Sequence, residues 1–184
     1  MTTGEKIVNW YIDTNHSTFE FEVRQAVVST IKGAFGGVTG DIVFDPDAPE
    51  NSKVEAVVDI STLNTNHAGR DQKILQAEGF FEVEKYPTAA FTSNAVRHVS
   101  GDTYAVEGDL TMRGVTKPVT FSAEFQGTHP QADGVIRGAF IAVATIQRSD
   151  YGFSLGLELP GGGRTHSDDV KLAMFTTIKP KVDD

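Results

Sequence analysis

Apolar and polar residues alternate along most of the chain. Between positions 18 and 24, Phe19, Phe21 and Val23 alternate with polar or charged side chains. A helix cannot keep residues i, i+2 and i+4 on one side, so this period of two predicts a strand with one buried face. Similar rows, some less regular, occupy further segments: 31–45, 53–60, 87–97, 104–112, 119–125, 134–147 and 170–178. Together with the first row they predict eight strands.

Turn residues separate the predicted strands. They include Asp-Pro-Asp at 45–47, Ser-Gly-Asp at 100–102, Arg-Gly at 113–114 and Ala-Asp-Gly at 132–134. Several connections are short, which favours antiparallel neighbours, and a hairpin through Gly114 is expected. Open edges on long strands would invite aggregation, and closure into a barrel removes them. We therefore predict an all-β fold, an extended eight-stranded antiparallel β-barrel, as one domain over residues 1–184 with its core at about 10–180.

One segment departs clearly from the alternation. Residues 65–76 show no period of two and end close to the adjacent apolar pair Ile74 and Leu75. Such a segment is typical of a short helix, and the polar residues at its start predict an N-cap at Thr65 or Asn66. We expect this helix to lie across one end of the barrel.

The predicted inward rows contain many small side chains beside the phenylalanines. A barrel of about eight strands is just wide enough for packed side chains or for one small ligand. Small inward residues would leave a void, which favours an elongated cavity gated by the helix and the loop 156–166. The small inward residues are Ala56, Ser93, Ala95, Gly108, Ala123 and Thr176. The residues predicted to contact a ligand are Phe19, Phe21, Phe35, Val58, Ile74, Leu75, Phe91, Gly108, Leu110, Met112, Phe121, Ala123, Phe125, Ile141, Val143 and Met174.

The charge of the chain narrows the classes of partner. A formal net charge of −9 argues against nucleic acid, which needs a basic surface, and against electrostatic docking on anionic lipid. No run approaches the roughly 20 apolar residues of a membrane helix, so no stable membrane insertion is expected. The N-terminus shows no apolar signal segment, which predicts a cytoplasmic protein, or a periplasmic one if a signal peptide has been removed.

Candidate catalytic and metal-binding residues are sparse. Asp13, His16 and Ser17 share one tight stretch, and a catalytic triad is normally assembled across a fold, so we interpret them as a polar turn. The chain has five histidines, without metal-ligand spacing, and no cysteine. We therefore predict no metal site and no cofactor.

Two arginine–aspartate motifs are open to two interpretations. Arg70-Asp71 and Arg148-Ser149-Asp150 lie at the ends of predicted elements, beside apolar residues. A guanidinium binds anions bidentately, so either arginine could contact the head group of a ligand. Mutual salt bridges that hold the helix and a strand end are the structural alternative.

Several motifs extend over nearly the whole chain. They are W-Y-I-D at 10–13, V-S-T-I-K-G-A-F at 28–35, R-D at 70–71, F-F-E-V-E-K-Y-P at 80–87, F-T-S at 91–93, G-D-L-T-M-R-G-V-T-K-P-V at 108–119 and R-S-D-Y-G at 148–152. In this order they resemble the YceI-like family of bacterial lipid-binding proteins. The resemblance implies a lipocalin-like barrel that binds a polyisoprenoid or similar amphiphile, such as a quinone precursor, with no established catalysis. Gln25 and Lys73 stand where histidine is frequent in that family.

Three functional hypotheses follow. The first is a carrier that holds a polyisoprenoid or another long apolar molecule by burial, as a monomer or a homodimer. The second is an enzyme, an isomerase or lyase, with Tyr104 as its one candidate titratable group in the pore. The third is a stress-response module whose barrel is filled by its own side chains.

Overall fold

The computed structural model describes residues 9–181, and strands dominate it. The α-helix of these residues is α1 (Ala68–Gln76), and short 3₁₀ turns occupy Thr14–His16, Pro49–Asn51 and Arg148–Tyr151. The strands are β1 (Asn9–Ile12), β2 (Thr18–Gln25), β3 (Ser29–Val43), β4 (Lys53–Asn64), β5 (Thr88–Ser100), β6 (Thr103–Met112), β7 (Val115–Pro130), β8 (Ile136–Gln147) and β9 (His166–Pro180). Within residues 9–181, no helix is long and apolar enough to cross a membrane.

The strands close into a ring of antiparallel pairs. The order is β3-β2-β9-β8-β7-β6-β5-β4, and β4 pairs with β3 to complete the circle. β1 pairs with β3 and β9, the same two neighbours as β2. β1 and β2 are therefore two halves of one barrel strand, and the predicted eight-stranded barrel with a short helix is confirmed.

Local chemistry explains the β6–β7 hairpin. Arg113 and Gly114 form its two-residue turn, with φ of 49° and 72°. Positive φ at both central residues is the geometry of a type I′ turn, which matches the right-handed twist of the flanking strands. Met112 pairs with Val115 directly across this turn. The hairpin expected at Gly114 is present.

The break between β1 and β2 is a polar turn. The buried carboxylate of Asp13 lies 2.8 Å from His16 Nδ1 and 2.7 Å from Lys179 Nζ. Burial alone raises the pKa of Asp13, but the hydrogen bonds from Lys179 and His16 outweigh it and hold that pKa below its ordinary value. Ser17 Oγ donates to the carbonyl of Thr177, at 3.3 Å. These contacts support the interpretation as a structural turn.

The start of α1 differs from the prediction. The N-cap is His67, whose Nδ1 accepts from the amide of Arg70 at 3.0 Å. Thr65 is buried outside the helix, and its amide and hydroxyl donate to the carboxylate of Asp71. Arg70 in turn donates to the carbonyl and hydroxyl oxygens of Thr65. Thr65 and Asn66 are therefore not the cap, because Thr65 is engaged in anchoring the helix to β4.

The first correction concerns β8, where the prediction of which residues face the interior is wrong by one position. Ile141 and Val143 face outward on β8, and Val143 is 47% exposed. Residues 138–144 of β8 are all apolar, so alternation does not show which of them face inward. The register with β9 decides it, because Phe140 and Ala142 pair with Thr176 and Met174, which face the interior.

A bulge in β5 causes the second correction. The pairing with β6 shifts between Ser93 and Ala95. The extra residue moves the inward-facing position to Val96, which is buried and lines the interior. Ala95, which was predicted to face inward, therefore does not line the interior. A bulge of this kind reverses the faces of all residues beyond it.

Candidate ligand-binding site

Two cavities occupy the barrel interior. The inner cavity has a volume of about 110 Å³ and the outer cavity about 410 Å³. On β9, Met174 lines the inner cavity, whereas Leu172 and Val170 line the outer one. Phe19 on β2 lines both, and so does Ala89 on β5. The cavities are therefore stacked along the barrel and meet at Phe19 and Ala89.

The inner cavity is apolar and ends in packed aromatic rings. Among residues 9–181, its lining contains no Asp, Glu, His, Lys or Arg, and Tyr104 is its one titratable side chain. Phe44 packs against Tyr104, Phe125 and Phe140 with ring centroids 5.2, 4.9 and 5.0 Å away. We call these four residues the closed end. Burial raises the pKa of Tyr104, so its phenol stays neutral around pH 7.

The outer cavity lies under α1 and the segment that follows it. Ile74 of α1 lines it, together with Phe81 and Phe153. Phe81 contacts Phe35 and Phe153 edge to face, with centroids 5.6 and 5.0 Å apart. These side chains are half-buried or, for Phe35, buried. The helix and two phenylalanines thus cover this end, which we call the entrance.

Basic side chains gather at the entrance. The lining of the outer cavity includes His67, Arg70, Lys73, Arg148 and His166, and it contains no Asp or Glu from the described part of the chain. This local excess of positive charge contrasts with the net charge of −9 for the whole chain. The outer cavity is therefore lined by basic side chains in a chain that is acidic overall.

Arg148 is the most unusual of these basic residues. It is 7% exposed, and its Nε donates to the carbonyl of Ser167 at 2.8 Å. Its Nη2 is buried and has no hydrogen-bond partner within residues 9–181. Burial lowers the pKa of Arg148, which the carboxylate of Asp168 partly offsets. Burial also lowers the pKa of His166, and the charges of Arg148 and Lys73 lower it further.

The two arginine–aspartate motifs do not form mutual salt bridges. Among residues 9–181, neither arginine makes an ion pair with the aspartate of its own motif. Asp71 and Arg70 both bond to Thr65, so that motif has a structural role. Arg148 keeps a free donor that faces no carboxylate within ion-pair distance.

Most of the predicted contact residues lie in the interior, at different depths. Ile141 and Val143 are outside, and Leu75 and Phe125 pack behind the cavity walls. The inner cavity is lined by Phe19, Val58, Phe91, Leu110, Phe121, Ala123 and Met174. The outer cavity is lined by Phe19, Phe21, Phe35, Ile74 and Met112. Lining residues that the sequence analysis missed include Val96, Phe140, Ala142, Lys73 and His166.

Gly108 faces inward but does not widen the cavity. A Cβ at this position would lie 2.3 Å from the carbonyl oxygen of Thr92 and 2.6 Å from the ring of Phe91. The Phe91 ring packs over the glycine and contacts Phe121, with centroids 5.1 Å apart. The expectation that Gly108 leaves ligand space is therefore wrong, because Phe91 already fills it.

The barrel and its interior define the class of protein. It is a closed antiparallel barrel with an apolar internal cavity, the class to which many small-molecule-binding barrels belong. Residues 10–178 match the model of the YceI-like domain. The chain belongs to the YceI-like family, as the motif resemblance predicted.

Known relatives agree with this assignment. The chain is 38% identical over 151 residues to a UPF0312 protein of Photorhabdus laumondii, covering 81% of this chain and 78% of the relative. It is 36% identical over 171 residues to a UPF0312 protein of Vibrio campbellii, covering 92% and 87%. The crystal structure of the Campylobacter jejuni YCEI protein is similar, with a TM-score of 0.73, 29% identity, and coverage of 86% of this chain and 90% of that one.

A more distant structure shares the fold. The polyisoprenoid binding domain from Saccharophagus degradans has a TM-score of 0.68 and 15% identity, covering 96% of this chain and all of that one (100%). At this identity the likeness concerns the fold alone.

Proposed function

We propose that the protein is a carrier or reservoir that holds a polyisoprenoid, or a similarly long apolar amphiphile, in the two stacked cavities. The observation that carries this proposal is the largely apolar lining of the two stacked cavities, which share Phe19 and Ala89. The outer cavity, at about 410 Å³, lies within the roughly 300–1,000 Å³ of small-molecule sites. The name of the Saccharophagus degradans domain supports the same ligand class.

Binding rests on burial of the tail. Transfer of apolar surface from water contributes roughly 25 cal/mol per Å², or about 0.8 kcal/mol per methylene group. Such contacts are non-directional, so selectivity comes from the length and width of the interior. The closed end limits the length, because the ring of Phe44 and its neighbours block the far end of the barrel.

The inner cavity accepts the tail by small side-chain movements. At about 110 Å³ it holds only part of a long chain without adjustment. Met174 lines it, and an unbranched thioether side chain changes rotamer more readily than a branched one. We infer that the tail fills the outer cavity first and displaces Met174 as it extends inward.

Catalysis has no specific observation in its favour. Burial raises the pKa of Tyr104, and no second titratable group of residues 9–181 lines the inner cavity beside it. The filled-barrel hypothesis accounts for the closed end but leaves the outer cavity unexplained.

The carrier proposal is tested by native mass spectrometry of freshly purified protein, followed by organic extraction. We expect a bound species of defined mass, released as an apolar compound, and renewed binding when geranylgeraniol is added to the extracted protein. The Ala89→Phe variant should lose this binding, because Ala89 lines both cavities.

A matched control is available on the outer surface of the same barrel. Ala105 lies on β6 between the inward residues Tyr104 and Val106, so it faces outward. Ala105→Phe should leave geranylgeraniol binding unchanged. Parent protein that carries no apolar compound and does not bind the added prenol would contradict the carrier function.

A further inference from the structure

We propose that Val27, Val28 and Leu157, at the rim of the entrance, form a docking surface for a lipid bilayer. We call these three residues the rim patch. The inference rests on the proposed carrier function and adds to it the route by which the apolar tail enters and leaves the barrel. The contact is peripheral, because the patch consists of two loop tips.

The exposure of the rim patch is the first argument. Val28 is 83% exposed, Leu157 77% and Val27 53%. Within residues 9–181 these are three of the four most exposed large hydrophobic side chains. The fourth, Val99, lies at the opposite end of the barrel, next to a residue that pairs with Tyr104 of the closed end. Single hydrophobic residues on a surface need no explanation, whereas a cluster at one site marks a surface for apolar contact.

The three residues lie on two loops that contact each other. Val27 and Val28 belong to the turn between β2 and β3, and Leu157 belongs to the loop before β9. The amide of Ala26 donates to the carbonyl of Thr165 at 3.0 Å, and the amide of Thr165 donates to the carbonyl of Leu157 at 2.9 Å. These hydrogen bonds hold the two tips side by side, so the exposed side chains belong to one surface.

The backbone of the β2–β3 turn is the second argument. Ala26 and Val27 have φ of 47° and 69°, in the left-handed region that glycine and asparagine usually occupy. A β-branched residue with this φ is an outlier, and such strain is found mainly at functional sites. Here the guanidinium of Arg24 donates to the carbonyl of Val27 at 2.7 Å. The turn thus holds an exposed valine where glycine would be less strained, which formation of the hairpin alone does not require.

The position of the patch beside the outer cavity indicates its partner. Gln25 and His166 line that cavity, and they lie two residues before Val27 and directly after Thr165. The rim patch therefore borders the opening that a ligand has to pass. A long apolar tail is sparingly soluble in water and partitions into bilayers, so contact between rim and bilayer lets it move without an aqueous step.

The chemistry of the patch fits lipid better than a protein partner. Valine and leucine side chains offer no hydrogen bonds, whereas the residues that anchor protein interfaces are mostly tryptophan, tyrosine and arginine. The patch has no charged side chain, so its contact with a bilayer is hydrophobic and needs no anionic lipid. This agrees with the net charge of −9, which disfavours electrostatic attachment to anionic membranes.

The test measures the rate at which geranylgeraniol moves from the loaded full chain to phosphatidylcholine vesicles. If the prenol passes through water, its release from the protein limits the rate, and the vesicle concentration has no effect. If it passes by contact, the rate rises with vesicle concentration. We expect the rising rate, and we expect added NaCl not to lower it, because salt screens charges and does not weaken hydrophobic contact.

Variants assign the transfer to the rim patch. Val28→Ser should lower the rate by about fivefold, and the double variant with Leu157→Ser by about tenfold or more, because less apolar surface enters the bilayer. Without vesicles, Val28→Ser should bind geranylgeraniol as the parent does, because Val28 lines neither cavity. The matched control Val99→Ser replaces an exposed valine at the opposite end and should transfer at the parental rate.

The outcomes separate the two proposals. A rate that is independent of vesicle concentration, that falls steeply with added NaCl, or that is unchanged in the double variant overturns the docking surface and leaves the carrier function intact. A dimer seen by sedimentation and lost in Val28→Ser would assign the patch to a second copy of the chain and overturn the proposal too. Failure of the parent to bind geranylgeraniol contradicts the carrier function itself. Flotation of the ligand-free parent with the vesicles, lost in Val28→Ser, would still support the docking surface in that case.

Discussion

The two ends of this barrel differ in how their interior is filled. At the closed end, Phe44 makes three aromatic contacts with centroids 4.9 to 5.2 Å away, and the remaining inner cavity is about 110 Å³. At the entrance, about 410 Å³ stays open under α1, and a buried arginine keeps an unpaired donor. One barrel thus combines a packed core with a candidate ligand site.

This difference predicts that residues at the closed end contribute mainly to stability, whereas residues at the entrance contribute mainly to ligand binding. Close packing contributes stability because deletion of packed atoms leaves a cavity, whereas residues that face an open cavity have fewer contacts to lose. Substitutions at the closed end should therefore reduce the free energy of unfolding, and substitutions at the entrance should change ligand affinity.

The largest expected effect tests that separation with two phenylalanines. Phe44→Ala should lower the free energy of unfolding by about 3–5 kcal/mol, since Phe44 is buried among three rings. Phe153→Ala at the entrance should lower it by less than about 2 kcal/mol, because Phe153 is half-buried and lines the open outer cavity. Urea unfolding measures both free energies of unfolding. Equal reductions in the two variants would contradict the proposed difference between the two ends of the barrel.

The second prediction concerns the wall beside the inner cavity. Asp13→Asn should cost about 1–3 kcal/mol at pH 7, because the buried side chain at this position loses its charged hydrogen bonds with His16 and Lys179. The pKa of Asp13 is lowered on folding, so its contribution is present above the ordinary value of 3.8 and is lost as pH falls below it. The stability gap between parent and variant should narrow in that acidic range. A gap that stays constant with pH would rule out this assignment.

The third prediction compares two arginines. Arg113 is half-buried, pairs with Glu82 and lies 5.1 Å from the ring of Phe153, whereas Arg148 is buried and makes no ion pair with a carboxylate among residues 9–181. Arg148→Met should change the free energy of unfolding by no more than about 1 kcal/mol, because relief of a buried charge offsets one lost hydrogen bond. Arg113→Met should destabilise the protein more. The reverse order in urea unfolding would show that Arg148 has a structural role.

The smallest expected effect is electrostatic. Burial lowers the pKa of His166, and the positive charges of Arg148 and Lys73 lower it further. Arg148→Met should therefore raise the pKa of His166 toward its ordinary value of 6.5, as followed by NMR titration. The matched control Lys53→Gln removes a charge from an exposed position on β4 and should leave the pKa of His166 unchanged. A pKa of His166 that does not change in Arg148→Met would contradict the assignment of this lowering to Arg148.

Alternation of apolar residues predicted the barrel well. Where one face is polar, as on β2 and β6, the period of two fixes which residues face inward. It could not orient β8, whose two faces are both apolar, so Ile141 and Val143 were assigned to the wrong side. The bulge beside Ala95 is likewise invisible, because it depends on pairing with another strand.

The chemistry of the entrance was harder to predict than the fold. Arg148 was recognised as a candidate, but its burial and its unpaired donor depend on contacts between β9 and the turn that follows β8. His166 shares no motif with Arg148 or Lys73, and only the closure of the barrel brings the three together. At Gly108 the sequence predicted open space that the structure does not have. A small residue indicates a void only when no neighbouring ring fills the space, and here the ring of Phe91 fills it.

The central claim, that one tail occupies both cavities in sequence, is tested most directly by a ladder of prenols. Affinities of geraniol, farnesol and geranylgeraniol are measured for the parent and for Ala123→Phe, which adds a ring to the inner cavity. In the parent, affinity should rise by about tenfold or more with each isoprene unit. In the variant, the shortest prenol should bind as it does to the parent, and the rise should stop at a shorter chain. Affinity that does not depend on chain length in the parent, or an equal loss for all three prenols in the variant, would contradict the account.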